Sequence, residues 1–163
     1  MLEGTHLSEG RGTTRPLEVL GAPDIEPRRL LERMHAMAPD WLTGCRLREC
    51  WFEPTFHKHE KKLCGGLQIH VDDGAYRHDA FRPWRLIALA FKAIRALWPD
   101  YQLWRDFPYE YETERLAVDV INGGTYLRDW VDDSNATPAD LDRGAKKDEQ
   151  AWRDAMAHLT LYR

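Results

Sequence analysis

The chain has 163 residues, of which 43% are hydrophobic and 31% charged, a balance typical of one globular domain. Its 27 acidic and 23 basic side chains give a formal net charge of -4, which leaves no surplus of cations for a nucleic acid. The longest apolar stretch, Trp84–Trp98, contains three basic residues and is shorter than the ~20 residues of a membrane span. We therefore expect a single domain over residues 1–163, with no nucleic-acid partner and no membrane span.

The beginning of the chain predicts irregular structure followed by a helix. Residues 1–24 are rich in Gly, Thr and Pro, which indicates loops with at most a strand at Met1–Gly4. A helix is predicted next, because Asp24 or Glu26 can accept hydrogen bonds from its free amides and Pro27 suits its first turn.

Two strands are predicted in the middle of the chain. The first is the compact run of large residues at Arg46–Phe52. The second has the two-residue period of a strand, since apolar and polar side chains alternate over residues 67–72. Both are candidates for one sheet.

The second half predicts helices. Pro83 opens a helix that Pro99 ends, because its apolar residues recur at three- and four-residue steps. Shorter helices are predicted to end near Asn122 and to begin near Thr125. Thr137, with a proline after it and an acid three residues on, is predicted to cap the last helix. The buried face of that helix is predicted to comprise Leu141, Ala145, Trp152, Met156 and Leu159.

The order of these elements indicates the fold class. Strands come early, helices come late, and no β-α-β alternation is visible. We therefore expect an α+β fold, in which a small mixed or antiparallel sheet packs against helices and the C-terminal part is helical.

One polar segment, residues 8–15, is a candidate binding loop. Its two glycines allow positive φ, so that backbone amides can turn toward an anion. Its two guanidiniums, on Arg11 and Arg15, can each bind a planar carboxylate through two parallel hydrogen bonds. Glu9 could orient an arginine or transfer a proton. The alternative is an exposed turn with ion pairs between Glu9 and an arginine of its own.

The histidines and cysteines give weaker signals. His57, His59 and His70 lack a third ligand at a diagnostic spacing, so we expect hydrogen-bonded histidines and no metal. No cofactor is indicated. The cysteines have no C-x-x-C spacing, which favours free thiols, although a bridge to Cys64 from one of the others is the alternative. The other two cysteines are Cys45 and Cys50.

The polar loop belongs to a longer pattern. Residues 2–18, followed by Gly21-Ala22-Pro23, resemble the signature of the NamZ-type family, formerly a domain of unknown function. His6 and Leu17 depart from that signature, which more often has Asn and an aromatic residue there. The resemblance continues along nearly the whole chain, through residues 52–56, Lys58-His59, residues 64–70, Phe81-Arg82-Pro83, residues 109–111, Asp119, Gly123-Gly124-Thr125, Leu127-Arg128 and Leu161-Tyr162.

The resemblance implies a function. Members resemble exo-acting glycoside hydrolases that release terminal β-linked N-acetylmuramic acid from peptidoglycan, in bacteria, outside the cytoplasm as secreted or periplasmic enzymes. They have a Rossmann-like N-terminal domain and a smaller C-terminal domain, with the active-site cleft between them. This chain resembles the C-terminal domain, so it is expected to lack the N-terminal domain and to be inactive alone. Its expected partners are that domain and a peptidoglycan fragment or N-acetylmuramic acid.

The same resemblance gives the polar loop a ligand. Muramic acid carries a lactyl carboxylate, which we expect Arg11 or Arg15 to bind. The amides of Gly10 and Gly12 and the hydroxyl of Thr13 would complete the pocket.

Two further residues are candidates near the cleft. Glycoside cleavage generally uses two carboxyl groups, and Glu9 is the best local candidate for one of them, with a structural arginine partner as the alternative. His70 is expected to face the cleft. Two other functions remain open for the chain: a non-catalytic binding module for acidic cell-wall sugars, or a structural docking domain.

Overall fold

The computed structural model describes residues 1–72 and 74–161, so Tyr162, the last residue of the resemblance, lies outside the described residues. Within them, strands β1 (Val19–Ala22), β2 (Arg46–Phe52) and β3 (Cys64–His70) form one antiparallel sheet in the order β1-β3-β2. The helices are α1 (Pro27–Met37), α2 (Pro83–Leu97), α3 (Ala117–Asn122), α4 (Tyr126–Asp132) and α5 (Pro138–Met156). The α+β prediction is confirmed, and the sheet is antiparallel rather than mixed.

The N-terminal prediction is wrong in two places. Residues Leu2–Gly4 form a 3-10 turn instead of a strand, and Gly4 lies against the backbone of Val118. Strand β1 lies within the stretch that we predicted as loops. It is short and wholly buried, so it shows no alternation of apolar and polar residues. The backbone of Gly66 on β3 lies against the Leu20 carbonyl so closely that a side chain at this glycine would collide with it.

The predicted helix boundaries are confirmed. Glu26 caps α1, accepting hydrogen bonds from the N–H groups of Arg28 and Arg29. Pro83 begins α2, which ends at Leu97, and Trp98 then separates the helix from Pro99. Thr137 and Asp140 form a reciprocal capping box at the start of α5.

The core lies between the sheet and helices α1 and α2. Leu20 on β1 and Leu67 on β3 are paired in register and fully buried on one face of the sheet. Leu30 and Met34 of α1 and Phe91 of α2 pack in the same cluster. Leu7 belongs to it although its own segment is irregular. These contacts anchor the N-terminal segment to the core.

The predicted buried face of α5 is confirmed only at its start. Leu141 is fully buried, but Trp152 is 67% exposed and Leu159 57% exposed. The helix is held to α2 by Arg85, which forms ion pairs with Asp142 and Glu149. Residues 151–161 are exposed apart from half-buried Met156, because no described part of the chain covers them. In the part of the chain that the structure describes, no helix is long and apolar enough to cross a membrane.

Candidate functional site

A concavity of about 510 Å³ opens between the N-terminal turn, the end of β3 and the start of α2. Most of its wall is apolar and includes Ile69, Val71 and Trp84. Its polar side is formed by Glu3, Glu9, Arg11 and Glu18. It therefore combines an apolar wall with one guanidinium and several carboxylates, the mixture typical of a ligand site.

The loop that delivers Arg11 has the backbone conformation expected of its glycines. Gly10 and Gly12 have φ of 71° and 78°, in the left-handed region that favours glycine. A side chain at Gly12 would also collide with Thr55. Both the N–H and the hydroxyl of Thr13 donate to the Gly10 carbonyl, at 3.0 and 2.7 Å. The Thr13 hydroxyl hydrogen is thus used to close the loop.

Glu9 lies beneath this loop, with only 3% of its side chain exposed. The Arg11 Nε–H donates to Glu9 Oε1, and Lys58 Nζ lies 2.7 Å from Oε2. Among the described residues, Oε2 nevertheless has no partner of good hydrogen-bond geometry, so the Lys58 contact is an ion pair rather than an aligned hydrogen bond. His57 Nδ1 is 3.9 Å from Oε1.

These neighbours keep Glu9 ionised. Burial alone would raise its pKa, but the ammonium of Lys58 and then the guanidinium of Arg11 outweigh burial and lower the pKa below its ordinary value. A general acid needs the opposite shift. The geometry therefore favours an orienting role for Glu9, and its catalytic role stays a prediction.

The guanidinium of Arg11 is hydrogen-bonded at Nε, whereas its terminal nitrogens are accessible. Its Nε–H is fixed by Glu9, and its carbonyl accepts a hydrogen bond from the Thr55 N–H at 3.0 Å. Its side chain is 37% exposed, and Nη2 lies 4.0 Å from Glu3 Oε1, beyond hydrogen-bonding distance. Arg11 lines the concavity, and among the described contacts its terminal nitrogens have only this long ion pair with Glu3, so their N–H donors are available to a carboxylate.

Arg15 and His70 belong to a different cluster. Arg15 forms ion pairs with Asp72 at 2.8 Å and Glu18 at 3.0 Å, and His70 Nδ1 lies 3.6 Å from Asp72. Ile69 and Val71 line the concavity, so the alternation of a strand turns His70 to the other face. The binding roles of Arg15 and His70 stay predictions, and the structure brings neither into the described lining with Arg11.

The structure adds two residues that the sequence reasoning did not single out. Glu3 is a half-exposed carboxylate on the 3-10 turn, and it accepts a long hydrogen bond of 3.4 Å from the Tyr109 hydroxyl. Lys58 comes from the loop between β2 and β3 and is buried beside Glu9. Both residues lie in the motifs of the resemblance, which was the available signal, but neither motif assigned them a partner.

Within residues 1–72 and 74–161, the histidines and cysteines form no recognisable metal or disulfide site. His59 Nε2 lies 2.7 Å from the His6 carbonyl, as expected of a hydrogen-bonded histidine. No group of three or more His, Cys, Asp or Glu among the described residues could hold a metal ion. All three cysteines are free, and burial raises the pKa of the Cys50 and Cys64 thiols to about 11.

The fold and the concavity define a small α+β domain that presents one oriented arginine at an open, mainly apolar site. Residues 1–162 match the family described as exo-β-N-acetylmuramidase NamZ, C-terminal. The chain belongs to this family of C-terminal domains.

One relative supports this assignment, and one solved structure shares the fold. The peptidoglycan β-N-acetylmuramidase NamZ of Bacillus subtilis (strain 168) is 39% identical over 136 residues, which cover 83% of this chain and 29% of the relative. The crystal structure of a DUF1343 family protein from Bacteroides fragilis NCTC 9343 has the same fold, with a TM-score of 0.72 and 20% identity. That match covers 97% of this chain and 38% of the other. The chain thus spans less than a third of the curated relative and well under half of the solved one.

Proposed function

We propose that this chain is the C-terminal part of a peptidoglycan glycoside hydrolase that releases terminal β-linked N-acetylmuramic acid. Its contribution is to bind the substrate at the concavity, which forms one side of a cleft shared with an N-terminal region. The observation that carries the proposal is the oriented guanidinium of Arg11, fixed at Nε by buried Glu9 and open at its terminal nitrogens.

The chemistry of muramic acid suits this arrangement. Its lactyl ether bears a carboxylate, which the planar fork of a guanidinium can bind through two parallel hydrogen bonds. The sugar ring and the lactyl methyl group supply apolar surface for the side of the concavity formed by Ile69, Val71 and Trp84. The B. subtilis relative, named as a peptidoglycan β-N-acetylmuramidase, supports this choice of ligand.

In this proposal Glu9 orients Arg11 and does not take part in bond cleavage. A buried carboxylate with a lowered pKa and two cationic neighbours is a poor proton donor, but it keeps an arginine in one orientation. Cleavage then requires carboxyl groups elsewhere, including on an N-terminal region. The chain alone is accordingly proposed to bind the acidic sugar without hydrolysing it.

The test is to measure the affinity for N-acetylmuramic acid of the chain alone and of the longer protein that carries an N-terminal region. N-acetylglucosamine, which lacks only the lactyl group, is the matched ligand control. Arg11→Lys keeps the charge but loses the fork, and we expect it to weaken N-acetylmuramic acid binding by about tenfold or more. Arg33→Lys, an exposed change on α1, is the control variant and should have no effect.

Each other outcome has a defined meaning. If Arg11→Lys and Arg15→Lys both leave the affinity for N-acetylmuramic acid unchanged, the assignment of the binding site is wrong. If the chain binds the sugar but hydrolysis is absent from the longer protein as well, the chain is a binding module. If neither form binds the sugar, a structural docking role replaces the proposal.

A further inference from the structure

The loop between β2 and β3 has an unusual backbone at residues 57–61. His57, His59 and Lys61 have φ of 70°, 58° and 56°, so every second residue is in the left-handed region without being glycine. Such conformations are unfavourable for residues with side chains and persist where the surrounding structure imposes them. The loop is closed by a hydrogen bond of 2.8 Å from the Lys61 N–H to the Pro54 carbonyl.

This backbone turns Lys58 into the protein, where 7% of its side chain is exposed. Its ammonium donates to the carbonyls of Leu2 and Thr5, at 2.8 and 3.1 Å, and forms the 2.7 Å ion pair with Glu9. One cation therefore joins the turn that carries Glu3 to the carboxylate that orients Arg11.

We propose that Lys58 is a positioning residue, which fixes Glu9 against the N-terminal turn and thereby sets Arg11 and Glu3 at the two sides of the site that receives the acidic sugar. The inference rests on the proposed function for the identity of the ligand. The positioning itself rests on the contacts of Lys58 alone.

The geometry requires an ammonium in particular. The Lys58 ammonium donates to the carbonyls of Leu2 and Thr5 and lies 2.7 Å from Glu9 Oε2, so one nitrogen atom contacts three oxygens of the N-terminal segment. A guanidinium is planar, so it cannot converge on the same three oxygens from one atom. An apolar side chain would remove the ammonium nearest to buried Glu9 and would leave the carbonyls of Leu2 and Thr5 without this donor.

The same arrangement makes the orientation of Arg11 depend on pH. The titratable and charged groups around Glu9 are Lys58, Arg11, His57 and the amino group of Met1, with Glu3 beyond Arg11. Burial raises the pKa of Glu9 and Lys58 is the first group that lowers it, so removing the ammonium shifts this pKa upward. Arg11 should then lose its ionised partner at a higher pH.

The experiment compares the wild-type chain with Lys58→Met, with Glu9→Gln, with the double variant Lys58→Met/Glu9→Gln, and with Lys62→Met as the exposed control. The double variant leaves no unpaired charge in the interior and keeps the test available if Lys58→Met does not fold. Two quantities are measured. The first is the ratio of affinities for N-acetylmuramic acid over N-acetylglucosamine between pH 3 and pH 8, and the second is the ¹⁵N–¹H signal of the Arg11 Nε–H.

If Lys58 positions Arg11, the affinity ratio should fall about tenfold in Lys58→Met, should be lower in the double variant than in Glu9→Gln, and should stay at its wild-type value in Lys62→Met. In Lys58→Met, the loss of affinity on acidification should begin at a higher pH than in the wild type. The Arg11 Nε–H signal should lose its hydrogen-bonded position in Lys58→Met, and its position in the double variant should differ from that in Glu9→Gln.

An unchanged Arg11 signal in a folded Lys58 variant would overturn the inference whatever sugar the protein binds. A wild-type chain with no preference for N-acetylmuramic acid would instead count against the proposed function, while the Arg11 signal would still decide the role of Lys58. An unchanged affinity ratio together with lower thermal stability would mean that Lys58 stabilises the fold without positioning Arg11.

Discussion

The first 18 residues have little regular secondary structure but are partly deeply buried, whereas the last helix is regular but mostly exposed. Residues 1–18 contain no helix or strand beyond a single 3-10 turn among the described elements, yet Leu7, Ser8 and Glu9 are almost completely buried. Helix α5 has 19 residues and a complete capping box, but Leu141 is its only buried residue in the described structure. Regular secondary structure and integration into the core are therefore independent properties here. Long-range contacts integrate the irregular segment, whereas local hydrogen bonds maintain the regular one.

The largest expected effect is at the buried ion pair of the N-terminal segment. Glu9→Gln should reduce the free energy of unfolding by about 3–5 kcal/mol, the range for a buried pair that loses one partner. Asp154→Asn on α5 removes an exposed carboxylate with one local hydrogen bond, from Gln150, and should change stability by less than about 0.5 kcal/mol. Urea denaturation of both variants measures the difference. Equal losses would mean that the two segments are equally integrated.

The same contrast can be tested with one chemical change at two leucines. Leu7→Ala removes a fully buried side chain and should cost about 2–5 kcal/mol in unfolding free energy. Leu159→Ala removes a side chain that is mostly exposed just after α5, and its cost should be below about 0.5 kcal/mol. Thermal and urea unfolding give both values. A cost at Leu159 comparable to that at Leu7 would show that the end of the chain is covered in solution.

A smaller effect is expected where α5 is joined to the domain. Arg85 is mostly buried and pairs with Asp142 and Glu149 at 2.8 and 2.7 Å. Because both carboxylates are partly exposed, solvent screens these pairs, and Arg85→Met should cost about 1 kcal/mol. Circular dichroism should show helix content retained at low temperature, because the Thr137 cap remains. Loss of the whole helix would mean that Arg85, and not the cap and Leu141, maintains α5.

The sequence was sufficient for the elements whose signals are local. Pro83, Glu26 and Thr137 begin helices through their own backbone and side-chain chemistry, so those helices were predicted correctly. Strand β1 was missed because a short, fully buried strand has no alternation. Its pairing with β3 also joins residues that are far apart in the chain, from Val19 with Gln68 to Ala22 with Gly65. Trp152 was predicted as buried because helical periodicity identifies an apolar face without identifying what covers it.

In the candidate site, too, features with local signals were predictable and features set by long-range contacts were not. The positive φ of Gly10 and Gly12 follows from residue type, and the composition of the segment suggested an ion pair between Glu9 and an arginine. Sequence could not separate Arg11 from Arg15, because Asp72, which binds Arg15, is far away along the chain. The role of Lys58 could not be predicted either, since a lysine in a basic, histidine-containing loop is normally exposed.

The contacts of Lys58 also bear on how the site folds. Its hydrogen bonds to Thr5 and Leu2 span 53 and 56 residues, a chain segment that includes β1, α1 and β2. The entropy of closing so long a loop is lost before these contacts form, so the arginine site should assemble only when the sheet does. The Ser8 N–H donates to the Gly21 carbonyl and the Leu17 N–H to the Glu9 carbonyl. Both amide hydrogens should then exchange with solvent only through global unfolding. An irregular loop at the surface of a binding site would thus be among the slowest-exchanging parts of the protein.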